Sequence, residues 1–351
     1  MLSKYPVRVL LTLVVALAGA LLCVRLQTPL PWMIGPMLAT ALVSMLNAPT
    51  VSWLPLRCAG QSTMGIALGL YFTPTMAALV VRQWWAIGLS IGWTILLGLF
   101  FGAWLHHRHA KRLPGFSRST SYFAGGIGAA SEMTLLAERA SGRTDLVAAA
   151  HSMRVLIVTI LIPFALQYSG IQGLDLSQAV SALDVRPVGL LWLALAACAG
   201  ALVFHLLNGP NPWFMGSLLT SMGLTIAGFE LSAVPKELSN AAQLLIGISL
   251  GVRFTPAFVH TAPSWLLSVA TGTLLLILLS TGFAWLLALG TGLPLATMVL
   301  GNAPGGIAEM AITAKVLQLG APVVTAFQVC RLVAVMVLQG PLYERLYGQR
   351  S

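Results

Sequence analysis

Long apolar runs separated by short polar breaks set the pattern of this chain. About 20 apolar residues suffice to cross a bilayer as a helix. On that scale the first half predicts helices at roughly 7–26, 31–47, 55–72, 83–105 and 145–168. The second half predicts them at roughly 187–207, 212–229, 237–254, 263–289 and 321–342. The stretches at 31–47 and 212–229 are short, and each begins with a proline. Two further stretches, 121–140 and 294–318, are apolar but broken by glycine. Each reads either as a full span or as a re-entrant hairpin. The pattern therefore predicts an all-α polytopic membrane protein.

The pattern repeats. Pro29, Pro31, Trp32 and Gly35 recur as Pro210, Pro212, Trp213 and Gly216, at an offset of 181. Gln61, Gly65, Gly69 and Thr73-Pro74 recur as Gln243, Gly247, Gly251 and Thr255-Pro256, at an offset of 182. Glu132-Met133 and Arg154 recur as Glu309-Met310 and Arg331, at an offset of 177. This predicts a first membrane repeat over 1–168, a polar linker over 169–186 holding Asp175, Asp184 and Arg186, and a second membrane repeat over 187–351. It also argues against reading the first apolar segment as a cleaved signal peptide, because Ala18-Gly19-Ala20-Leu21 recurs as Ala199-Gly200-Ala201-Leu202.

Charge then bears on topology. The loop from His106 through Lys111-Arg112 to Arg118 is strongly basic, whereas its counterpart, Gly290-Thr291-Gly292-Leu293, carries no charge. Basic loops stay on the cytoplasmic side. Equivalent loops of such different charge fit opposite sides, so the expectation is a pair of inverted five-helix repeats, each with a Gly-rich broken or re-entrant helix. Both termini are expected on the cytoplasmic side. Composition agrees: 58% of the 351 residues are hydrophobic and 8% charged, where a soluble protein has about 25% charged. Mean hydropathy is +0.88. The net charge of +10 reads as loop charge rather than as a nucleic-acid surface. The four cysteines, none in a CxxC pair, read as free buried thiols.

Candidate chemistry sits at the glycine breaks. The first reads Gly125-Gly126-Ile127-Gly128-Ala129-Ala130-Ser131-Glu132, the second Ala303-Pro304-Gly305-Gly306-Ile307-Ala308-Glu309. Broken backbone at membrane depth is tolerated only where protein or a water-filled cavity satisfies it. Half-helix N-termini in such breaks would offer free N–H groups to a solute. Glu132 and Glu309 are acidic residues in apolar surroundings, and such residues mark pathways or ion pairs. Arg154 and Arg331 each follow their glutamate by 22 residues. They read as Glu–Arg pairs or as bidentate anion ligands. Candidate solute or ion contacts are therefore Glu132, Glu309, Arg154, Arg331, Gly128, Gly305, Gly306, Ser131 and Asn302, with Thr313 nearby. Gln61 and Gln243 either line the cavity or bond across helices. Arg253, which corresponds to Tyr71, reads as an interface anchor. His151 corresponds to Gln328, so a proton relay there would not be shared by the halves, and a packed polar residue is expected. His106, His107 and His109 lie among cations and read as a solvated loop, not a metal site. Trp84 and Trp85 read as interfacial belt residues. No P-loop, G-x-S-x-G or H-E-x-x-H motif occurs, so neither catalytic residues nor a cofactor or metal are expected, and any transport would be secondary or channel-like.

With these residues in view, the chain resembles the duplicated AbrB family of bacterial membrane proteins. That family is often labelled an ammonia monooxygenase or a regulator of the aidB gene, and is unrelated to the soluble transition-state regulator of similar name. The resemblance rests on P-W-M-I-G-P-M-L at 31–38, on Phe254-Thr255-Pro256, and on A-P-G-G-I-A-E-M at 303–310 with Arg331 downstream. Ile127 departs from it, standing where the family has proline. More distantly, the layout is similar to inverted-repeat secondary transporters. The expected function is secondary transport of a small anionic solute, with protons as candidate coupling ions. The alternatives are a membrane regulator or sensor without flux and, last, an oxidoreductase. Expected partners are membrane lipid and the solute, not nucleic acid, with homo-oligomerisation left open.

Overall fold

The computed structural model describes residues 5–111, 115–128, 130–171, 184–229, 231–256 and 263–347. Most of the predicted 169–186 linker, Asp175 included, and Arg112 of the basic loop lie outside the described residues. The described residues form fifteen helices and no strand. In order these are α1 (Tyr5–Arg25), α2 (Pro31–Met45), α3 (Leu54–Gly69), α4 (Pro74–Arg82), α5 (Trp84–His109), α6 (Arg118–Gly125), α7 (Ala130–Arg139) and α8 (Thr144–Ser169). There follow α9 (Pro187–Leu206), α10 (Pro212–Ile226), α11 (Lys236–Gly251), α12 (Pro263–Thr291), α13 (Leu295–Asn302), α14 (Ile307–Val316) and α15 (Ala321–Tyr347).

All ten predicted segments are helices, but only six of them, α1, α5, α8, α9, α12 and α15, are long and apolar enough to cross a membrane alone. Helices α2, α3, α10 and α11 have 15 or 16 residues, about 22–24 Å at 1.5 Å per residue. Short helices suffice where neighbouring protein covers their ends. α4 escaped the sequence reading. It follows α3 after a bend of 86°, with Thr73 capping its first turn at Met76 N.

The molecule exposes large apolar side chains and buries charged ones within its apolar core. Leu278 on α12 is 68% exposed, while Arg154 is 2% and Arg331 3% exposed. A soluble protein places these residues the other way round. The cysteines are free, as expected, but not buried: Cys198 and Cys330 are exposed and Cys23 and Cys58 half-buried. The sequence reading erred because an apolar run does not say which of its faces meets lipid.

Two groups of helices share one hydrophobic core. Helices α1–α3 and α9–α11 form one group, in which α3 crosses α10 and α11 crosses α2. Glycines permit the close approach. A methyl on Gly65 would fall 2.5 Å from the Phe214 carbonyl oxygen, and one on Gly251 would fall 2.5 Å from that of Met37. Ser221 Oγ donates to the Ile66 carbonyl at 3.0 Å. The second group, α5–α8 with α12–α15, contains the two glycine breaks. Lys315 on α14 ties the groups together, its Nζ donating to Ser239 Oγ of α11 at 2.9 Å.

Candidate functional site

Both glycine breaks are hairpin tips. Helix α6 has 8 residues and α7 has 10; α13 and α14 have the same lengths. Eight residues rise only about 12 Å, so none of the four can span a bilayer. In the first hairpin the chain comes back to where it entered: Arg143 N donates to Thr120 Oγ1 at 2.9 Å. Helix α8 then runs beside α6, so that His151, seven residues into α8, meets the carbonyl of Phe123, five residues into α6. In the second hairpin Gln328, seven residues into α15, meets the carbonyl of Leu300, five residues into α13. Both hairpins also end alike. Ser141 and Gln318 take positive φ of 54° and 55°, and Gly142 N and Leu319 N bond to Ala137 O and Ala314 O, both at 2.7 Å.

The arginines do something other than pair with the glutamates. Arg154 donates to the carbonyls of Ala124 (3.4 Å) and Gly126 (2.7 Å). Arg331 donates to those of Ala303 (2.6 Å) and Gly305 (3.0 Å). These are the carbonyls freed where α6 and α13 stop, with Gly126 and Ala303 in the same extended conformation (φ −55° ψ 132°, φ −58° ψ 136°). Among the described residues the ion pair is Arg143–Asp145, and neither Glu132 nor Glu309 pairs with its arginine. The physical reason is the helix dipole. A cation belongs at the C-terminal end of a half-helix and an anion at the N-terminal end of the next. The expected Glu–Arg pairing is thus replaced by arginine clamps on the carbonyls that end α6 and α13, while Glu132 and Glu309 stand in the first turns of α7 and α14.

His151 and Gln328 complete each clamp. His151 Nδ1 takes an N–H of Arg154 at 2.6 Å and Nε2 lies 3.0 Å from the Phe123 carbonyl. A guanidinium only donates and a carbonyl only accepts, so the ring is neutral with its proton on Nε2. Gln328 Oε1 accepts from Arg331, while Nε2 donates to Leu300 O at 2.7 Å. One imidazole and one amide therefore do the same work as packed polar residues.

The two hairpins interlock through their long helices. A methyl on Gly305 would fall 2.8 Å from Val158 of α8, and one on Gly128 would fall 2.8 Å from Val335 of α15. Each tip thus touches the helix that clamps the other. Arg154 and Arg331 lie within Coulombic reach of one another. Helix α15 records the order: its start runs with α13, Arg331 clamps the second tip, Val335 touches the first, and Tyr347 lies over Arg118 at the entry of α6. The hairpins therefore enter from opposite ends of α15.

The remaining candidates divide. Glu309 is 8% exposed and folds back over Gly306, where an added methyl would strike its Oε2. Arg253, not Arg331, is the cation within its electrostatic reach, although the Arg253 side chain is exposed as an interface anchor would be. Its signal in the sequence was the unmatched exchange with Tyr71. Glu132 is half-buried and Ser131 exposed. Asn302 joins α13 to α5 by accepting from Ser90 Oγ at 2.6 Å. Thr313 only donates back to Glu309 O within α14. Gln61 on α3 and Gln243 on α11 lie in the other helix group, and no hydrogen bond links either to the hairpins among the described residues.

Fold and site together define a multi-pass helical membrane protein built around two helical hairpins that interlock through their long helices. Over residues 32–347 the chain matches the family described as "Transition state regulatory protein AbrB", and it belongs to that family. It is 26% identical to the uncharacterized protein YhjN of Bacillus subtilis (strain 168), over 95% of this chain and 91% of that one. It is 25% identical to AbrB of Escherichia coli (strain K12), provisionally named a regulator, over 90% of each chain.

Proposed function

We propose that the protein is a secondary transporter of a small anionic solute in the bacterial inner membrane, binding it at the two hairpin tips. The observation that carries the reading is the interlock of two broken helices that enter from opposite ends, each tip pressing on the long helix whose arginine clamps the other. Broken helices that meet at the midplane are how inverted-repeat transporters form solute sites. The charge balance supports an anion, since two guanidiniums are buried beside one buried carboxylate. The halves are then inverted five-crossing repeats, with both termini in the cytoplasm beside the basic His106–Lys111 loop. Glu309 is the candidate proton carrier, with Glu132 as its less enclosed counterpart.

The test is counterflow in proteoliposomes with a panel of radiolabelled carboxylates and inorganic anions. Glu309→Gln is expected to insert normally and lose or uncouple flux, and unchanged flux removes Glu309 from the mechanism. The second reading, a membrane regulator without flux, draws on the name of the Escherichia coli relative. It gains if an anion binds the purified protein and none crosses.

A further inference from the structure

Helix α15 passes both tips with one face. Arg331, Val335 and Gln339 stand four residues apart and so line up along a helix. Arg331 clamps the second tip, Val335 meets Gly128 of the first, and Gln339 reaches the first tip at Gly126, whose added methyl would lie 3.8 Å from the Gln339 side-chain carbon Cδ. Gln339 is 2% exposed. Its backbone carbonyl accepts from Tyr122 at 3.1 Å, yet its side-chain Oε1 is buried without a hydrogen-bond partner among the described residues. On α8 the corresponding series is Arg154, Val158 and Ile162, so the polar group appears once.

A buried amide left unpaired destabilises a fold, and a helix-packing role would be filled better by leucine. An unpaired amide beside a broken helix is what a ligand contact looks like before the ligand arrives. We propose that Gln339 is a solute-binding residue of the first tip, its amide turning to donate an N–H to an oxygen of a small oxyanion. This rests on the transport reading for the identity of the site and adds a ligand residue and a chemical class to it. Turning the amide costs little, because its two orientations fill the same space.

The experiment uses the full chain in membranes, with Cys23, Cys58, Cys198 and Cys330 replaced by serine. Gln339→Cys is treated with two hydrophilic thiol reagents, an anionic sulfonate methanethiosulfonate and its cationic trimethylammonium analogue. Val147→Cys, fully buried on α8, is the packed control. The expected result is modification at position 339 and not at 147. The sulfonate should be favoured there at least threefold over the cationic reagent, relative to their rates with a free thiol. No modification by either reagent overturns the site, and preference for the cation overturns the oxyanion. Thermal unfolding of Gln339→Leu in detergent is the second measurement. A ligand residue predicts a raised Tm, whereas a fall in Tm means that the amide serves packing and overturns the proposal. Neither readout needs flux. Absence of counterflow with labelling intact would retire the transporter and keep the site, and flux without labelling would do the reverse.

Discussion

The two hairpins share a frame and differ in what fills it. In both, a short helix stops, an arginine from the following long helix takes the freed carbonyls, and a glycine at the tip presses on a valine of the opposite long helix. Around that frame the first hairpin carries His151, Ile127, a half-buried Glu132 and the facing Gln339. The second carries Gln328, Pro304, a buried Glu309 and the nearby Arg253. The shared parts are those that backbone chemistry demands, since carbonyls at membrane depth must be paired. The parts that differ lie where no such demand acts, and function can use them.

The comparison breaks first at the arginines. Arg331→Leu leaves the Gly305 carbonyl and the Gln328 amide oxygen without their donor, and the Ala303 carbonyl with only the 3.3 Å bond from Gln328 Nε2. A hydrogen bond to a charged group contributes about 1.5–3 kcal/mol, so a loss of roughly 3 kcal/mol or more is expected, read as a collapse of the monodisperse detergent-extracted protein on heating. Arg154→Leu should cost less, because one of its carbonyl contacts is long at 3.4 Å. If Arg154 proves the costlier, the second tip is not the better-clamped one. Next come the glycines. Gly305→Ala and Gly128→Ala each push a methyl to 2.8 Å from a valine, an overpacking that typically costs about 1–3 kcal/mol. Equal losses in Tm are expected, and pairing each with Val158→Ala or Val335→Ala should restore much of the loss.

The glutamates sharpen the contrast in the opposite direction. Glu309 is enclosed and Glu132 is not. Neutralising a buried carboxylate removes a desolvation cost, so Glu309→Gln should gain on the order of 1 kcal/mol in stability. Glu132→Gln should leave Tm within experimental scatter. A destabilised Glu309→Gln would mean that its charge, through Arg253 or the α14 N-terminus, holds the tip in place.

How far the sequence carried this picture depends on what each feature obeys. The ten helical segments were legible because the bilayer imposes an apolar composition on whatever crosses it, and six of them also carry the full spanning length. The glycine breaks and their glutamates were legible because such residues have no propensity reason to sit in apolar runs. Whether 121–140 and 294–318 turn back on themselves was left open, since only contacts such as that from Arg143 N to Thr120 Oγ1 distinguish a hairpin from one continuous helix. The arginine partners were missed for a related reason. A sequence displays side chains, so Arg154 was set against Glu132, whereas its partners are backbone carbonyls of Ala124 and Gly126 that no residue identity announces. Gln339 gave no signal at all, because its counterpart Ile162 is apolar and the search for repeated chemistry passes over it.

The smallest effect tests the equivalence of the clamps most directly. His151 acts as a neutral acceptor toward Arg154 and a donor toward Phe123 O. Gln328 presents the same pair, acceptor to Arg331 and donor to Leu300 O. An amide can therefore replace the imidazole, and His151→Gln should change stability by less than about 1 kcal/mol, with any activity keeping its pH profile. His151→Leu has similar bulk but neither polar atom, and should cost about 1–3 kcal/mol by leaving an Arg154 N–H and a buried carbonyl unpaired. If His151→Gln instead removes activity at unchanged Tm, the histidine does something that the second hairpin lacks, and the proton function would move from Glu309 to the first tip.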